Sequence, residues 1–152
     1  MTATSTDRIE KEILLKAPQA RVWRALTDRQ EFGTWFRMEL DGAFAPGRTI
    51  QGRITHPGYE HVLLELRVER MEAERHLAYR WHPGAVDTTR DYSQEPMTLV
   101  EFWIEAAEGG TRLKVVESGF DQLPEGRRDE AFRMNEGGWK GQLVNIQRHV
   151  EG

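Results

Sequence analysis

Short segments that alternate apolar and polar residues, closed by one long helical segment, constrain this chain more than any other feature. Leu64, Leu66 and Val68 face one way, and Glu65, Arg67 and Glu69 the other. Leu77, Tyr79 and Trp81 alternate with Ala78, Arg80 and His82, and Val100, Phe102 and Ile104 with Glu101, Trp103 and Glu105. A period of two gives each strand one buried and one wet face, as in an antiparallel sheet. Gly42, Pro46-Gly47, Pro57-Gly58 and Gly109-Gly110 punctuate the segments as hairpin turns would. Further strands are expected at residues 9–16, 48–55 and 112–118.

Two short helices follow the first strand. Pro18 suits a first helical turn, where its missing N–H is not needed. Val22, Trp23 and Leu26 recur at helical spacing up to about Thr27. Asp28 with Glu31 has the spacing of a capping box opening a second helix at 29–36, whose apolar residues are Phe32, Trp35 and Phe36. The last segment, 125–150, carries Phe132, Trp139, Leu143, Ile146 and Val150 as one apolar stripe. Gly137, Gly138 and Gly141 interrupt it, each costing about 1 kcal/mol against alanine. Three explanations stay open: close approach of a strand, space beside the helix for a ligand, or a kink. Residues 83–97 are long and polar for a hairpin connection and are expected to be mobile rather than an ordered lid.

Composition narrows the function. The chain has 152 residues, enough for one domain with a proper core, and 38% hydrophobic against 30% charged residues is a globular mixture. No apolar run nears the roughly 20 residues of a membrane span. Residues 1–7 are polar, without the apolar core of a signal peptide, and are expected to be a disordered tail of a cytoplasmic protein. The absence of cysteine excludes disulfides, thiolate catalysis and cysteine-ligated metals. A net charge of −4 with both signs interspersed lacks the basic stripe of a nucleic-acid binder. His56, His61, His76, His82 and His149 form no pair with zinc-ligand spacing, Ser5, Ser93 and Ser118 lack a nucleophile-elbow frame, and Gly137–Gly141 lacks that of a phosphate loop. No metal, cofactor or defined catalytic residue is therefore expected. Glu65 and Glu101, the candidate carboxylate pair, sit opposite the larger apolar residues of their strands and are expected to face water.

The element order is that of the helix-grip fold: an α+β domain, residues 8–152, with a curved antiparallel sheet of about six or seven strands around a long C-terminal helix. Ala17-Pro18, Val22-Trp23, Leu26-Thr27-Asp28 and Trp35-Phe36 resemble the opening of the heat-shock-protein ATPase activator-like family, of the START-like (SRPBCC) superfamily. Gly42 to Gly47 is similar to that family's first hairpin, and Leu77 to Trp81 to its Tyr-x-Trp strand. Gly110 to Leu113, Ser118-Gly119-Phe120, and Gly138-Trp139 with Leu143 match in order. The resemblance implies a fold and a cavity rather than a fixed reaction. The eukaryotic activators carry an additional N-terminal domain, for which these 152 residues are expected to leave no room.

Gripped in this way, Trp35, Phe36, Tyr79, Trp81, Phe102, Phe120 and Trp139 would converge, either as a packed core or as an aromatic-lined cavity. Met134 would adapt to a ligand surface, and Gly138 and Gly141 would supply room. The leading expectation is a small hydrophobic ligand (lipid, polyketide-like or aromatic metabolite) held between the helix and the sheet. The alternatives are a co-chaperone-like interaction module, with a chaperone or a second copy as partner, and a cyclase- or hydrolase-like enzyme. The last would need a buried carboxylate, histidine or arginine with a perturbed pKa.

Overall fold

The computed structural model describes residues 7–83 and 89–152. β1 (Arg8–Leu15) is followed by α1 (Gln19–Thr27) and α2 (Arg29–Phe36). β2 (Met38–Leu40), β3 (Thr49–Ile54), β4 (Leu63–Glu72), β5 (His76–Trp81), β6 (Thr98–Ala107) and β7 (Gly110–Ser118) come next, and α3 (Glu125–Glu151) closes the chain. The strands form one seven-stranded antiparallel sheet in the order β1-β7-β6-β5-β4-β3-β2. The helix-grip expectation is borne out, including the two short helices and the long terminal one. β2 has only three residues, too few to carry a period, and sequence reading passes over it.

Local chemistry explains the helix starts. The Asp28 carboxylate accepts from the backbone N–H of Gln30 and Glu31, as an N-cap should. The capping box is only half formed, a correction to the sequence reading. The Asp28 N–H is already bonded to the Arg24 carbonyl at the end of α1, so Glu31 turns elsewhere. Gly33 is required by packing: a Cβ there would sit 2.2 Å from the Met38 carbonyl oxygen, so α2 could not lie against β2. Gly119 takes φ of +100°, a region costly for any other residue, and turns the chain out of β7. Its N–H and that of Phe120 donate to the carbonyl of Asp7, which anchors this last residue of the expected tail. Residues 1–6 lie outside the described residues.

The core lies between the inward sheet face and the helices. Leu66, Leu77, Tyr79, Phe102 and Leu113 from the strands meet Phe32 and Ile146 from the helices, all fully buried. Trp139, Leu143, Ile146 and Val150 of the expected stripe are buried, while Phe132 is half-buried against Phe120. α3 is continuous through Gly137, Gly138 and Gly141, without a break. Among the described residues no helix is long and apolar enough to cross a membrane.

Candidate functional site

The side chains on α3 divide into three stripes. Trp139, Leu143, Ile146 and Val150 pack into the core. Gly137, Gly141 and Val144 face solvent. Met134, Gly138 and Gln142, with Asn135 beside them, stand over a cleft of about 390 Å³. The opposite wall is the far half of the sheet: Ile54 at the end of β3, Val62 just before β4, Leu64 at its start, and Trp81 at the end of β5. Phe36 at the end of α2 packs edge-on to Trp81 at 5.9 Å. His56 and Tyr59, from the turn between β3 and β4, and His82 complete the lining. Tyr59 and Met134 are 50% and 42% exposed and stand at the rim. The volume falls within the range of ordinary small-molecule sites. Among the described lining residues there is no Lys, Arg, Asp or Glu.

A buried carboxylate stands behind this cleft. Leu113, Val115 and Glu117 alternate on the inward face of β7, so Glu117 is carried into the core with no exposed surface. Its Oε2 accepts from the Trp81 indole Nε1 at 2.8 Å and the Thr98 hydroxyl at 2.5 Å. Its Oε1 accepts from the Trp139 indole Nε1 and the Asn135 Nδ2, both at 2.8 Å. Four donors fill the acceptor sites of an ionised carboxylate, and none of them is a cation. Burial drives the pKa of Glu117 up, and the hydrogen bonds from Thr98, the two indoles and Asn135 offset only part of that rise. The Trp81 and Trp139 rings, clamped through one carboxylate, stack with centroids 5.7 Å apart. Strand register makes this possible: Thr98 pairs with Trp81, and Glu117 with Val100, so the ends of β5, β6 and β7 bring the three side chains together.

Burial shifts the pKa of two neighbouring groups. Tyr79 is fully buried and its hydroxyl has no partner among the described residues. Burial, with the nearby charge of Glu117, holds its pKa well above the usual phenol range. His82 has its pKa lowered, chiefly by burial, against the opposing charges of Glu95 and Glu65.

The connection at 83–97 is tied to α3 where it is described; residues 84–88 of it lie outside the described residues. Arg127, buried in the first turn of α3, donates through Nε to Glu95 at 3.1 Å and through Nη2 to the Pro83 carbonyl at 2.6 Å. Its guanidinium lies 4.8 Å from the Tyr92 ring centroid. A larger cleft, about 800 Å³, runs along outward side chains such as Gln51, Arg53 and Glu65 to Arg90 and Tyr92. It is lined by charges of both signs and shares Val62, Leu64 and His82 with the cleft beside α3, whose described lining carries no Lys, Arg, Asp or Glu.

The model of one family, the activator of Hsp90 ATPase homolog 1-like proteins, matches residues 16–151. The chain belongs to this family. The resemblance drawn from the sequence motifs is therefore borne out. Among solved structures, protein MLL2253 from Mesorhizobium loti is 22% identical, covering 95% of this chain and 96% of that one with a TM-score of 0.76. DynU16, from the dynemicin biosynthetic locus, is 21% identical over 95% of this chain and 47% of that one, with a TM-score of 0.73. Aha1 from Colwellia psychrerythraea, solved in solution as a dimer, is 17% identical over 95% and 96%, with a TM-score of 0.71. At these identities the likeness establishes the fold alone. No curated protein matches the chain.

For this family member, the sequence-derived site residues divide clearly. Phe36, Trp81, Met134 and Gly138 line the cleft. Trp35, Tyr79, Phe102 and Phe120 are buried in packed core, and the Trp35 indole donates to the Ala25 carbonyl. Trp139 lies behind the cleft on Glu117. Gly141 faces solvent, away from the lining. A Cβ at Gly137, Gly138 or Gly141 would meet no atom within 4 Å, so close approach of a strand does not explain the glycines. Glu65 is exposed, and Glu101 lies on the outward face, accepting from His76, which stacks on Trp103. Ile54, His56, Tyr59, Val62, Leu64, His82, Asn135 and Gln142 are lining residues that sequence reading did not name. Glu117 is the most informative omission. The alternation Leu113, Val115, Glu117 places it inward, and a carboxylate at an inward strand position is the signal that would have found it. Among the described residues no three His, Asp or Glu side chains converge as a metal site requires.

Proposed function

We propose that this protein binds a small, predominantly apolar molecule in the cleft between α3 and the β3–β5 half of the sheet. The observation that carries the reading is the cleft itself: about 390 Å³, walled by Phe36, Ile54, Leu64, Trp81 and Met134, with a few neutral polar groups between them. Lipid, polyketide-like and aromatic metabolites have this chemistry. Met134 and Tyr59 at the rim suit entry of an irregular apolar surface. The enzyme alternative has the buried carboxylate it requires, but Glu117 is occupied by four donors and stands behind Trp81 and Asn135 rather than in the cleft. That arrangement favours a positioning role over proton transfer.

Gly138→Leu tests the reading. The glycine lines the cleft and a Cβ there meets nothing, so the larger side chain fills ligand space without disturbing the core. Native mass spectrometry and thermal-shift titration with a lipid and aromatic panel should detect binding to the wild type and its loss in a folded Gly138→Leu protein. Equal binding by both, or none by either, sinks the proposal. A second copy of the chain is the macromolecular partner we propose next, on the ground that the Colwellia psychrerythraea relative is a dimer in solution. A monomer in sedimentation equilibrium at high micromolar concentration removes it.

A further inference from the structure

The charge of the ligand follows from what stands around and behind the cleft, and this inference rests on the binding function proposed above. Among its described residues the lining contains no Lys or Arg, so an anionic head group meets no fixed cation among them. Of the two histidines, His82 is held toward its neutral form by burial, and His56 stands exposed at the rim with its Nδ1 3.0 Å from the Pro57 carbonyl oxygen. Behind the cleft is Glu117, whose hydrogen-bond partners include no cation and two of which, Trp81 and Asn135, are themselves cleft walls. A carboxylate ligand would lose its hydration and approach this buried acid with only neutral donors in return.

The same network orients the polar groups that remain. A carboxylate accepts only, so the Asn135 amide must turn its Nδ2 toward Glu117. Its Oδ1 is left without a protein partner among the described residues. Gln142 Oε1 accepts from Asn145, which leaves the Gln142 Nε2 free to donate. We propose that the cleft selects uncharged ligands bearing a hydroxyl or N–H group and rejects carboxylic acids, with Asn135, held by Glu117, as the acceptor that anchors the head group. Glu117 is then a positioning residue, which fixes the amide without touching the ligand.

Three probes of one shape test this: 2-naphthol, 2-methoxynaphthalene and 2-naphthoate, titrated into the full chain at neutral pH by calorimetry. The expected order is naphthol tightest, methoxynaphthalene weaker by about three- to tenfold for loss of the donor, and naphthoate weaker than naphthol by at least about tenfold. Gln142→Lys puts a cation on the lining and should reverse the last preference while leaving the fold intact. Naphthoate binding to the wild type as tightly as naphthol overturns the selection and leaves the binding function standing. Binding of none of the three removes the selection together with the function on which it rests.

Discussion

Two glutamates hold α3, and they do so by opposite physics. Glu31, near the C-terminal end of the helix, is partly exposed and held by the Arg21 and Arg24 guanidiniums and the His149 ring. Burial pushes its pKa up, but the His149 and Arg21 hydrogen bonds and the two arginine charges pull it further down, to a net value below the usual range. Glu117, beside the middle of the helix, has no exposed surface and is met only by neutral donors, and its pKa is raised. One is an ion-pair hub that joins three helices where the grip is closed. The other is a desolvated acceptor that aligns two indoles and an amide where the grip leaves space. A carboxylate paired with cations gives charge-dependent cohesion, whereas one satisfied by neutral donors gives orientation.

The largest test of this contrast is removal of each acid. Glu117→Ala strands three buried donors and the half-buried Asn135 amide and opens a void, and should cost about 3–5 kcal/mol in urea unfolding, with loss of the near-ultraviolet tryptophan signal. Glu31→Gln should cost about 1 kcal/mol, because its pairs are part-exposed and screened by solvent. Equal costs would break the comparison.

The pH dependence should separate the two acids by sign. The depressed pKa of Glu31 contributes stability above its unfolded value, near 4.5, that is lost as pH falls through the folded value. The raised pKa of Glu117 works the other way. Its contribution is fullest below 4.5 and is lost as pH rises from there through its folded value. Glu31→Gln should therefore flatten the stability profile below 4.5, and Glu117→Gln the profile above it. Profiles that change on the same side of 4.5 would contradict the assignment.

The smallest effect sharpens the picture of the Glu117 end. Tyr79→Phe removes a buried hydroxyl that has no partner among the described residues, and should leave stability unchanged or raise it by up to about 1 kcal/mol in the same unfolding assay. A loss above that size would mean that the hydroxyl is bonded in solution.

The fold was legible because alternation at period two is a local signal, and six of the strands and all three α-helices carry it or its helical counterpart. β2 carries too few residues to alternate. The site was only partly legible. Phe36, Trp81, Met134 and Gly138 follow from their helices and strands, but His56 and Tyr59 reach the cleft through pairing of β3 with β4, which leaves no mark on the turn that contains them. The glycines of α3 drew attention to the right helix for an incomplete reason. Gly138 borders the cleft, whereas Gly137 and Gly141 face solvent, since consecutive helical positions point about 100° apart. Glu117 was hidden because a polar residue near the end of a strand reads as the chain leaving the sheet.

The central claim is that ligand space lies beside Gly138, in front of the Glu117 network. Backbone and indole ¹H–¹⁵N NMR spectra during titration with 2-naphthol test it most directly. The account predicts shifts at the amides of Asn135, Gly138 and Gln142 and at the Trp81 indole N–H. Shifts confined to Gln51, Arg53 and Glu65 of the outer cleft, or none up to the solubility limit of the probe, would contradict it.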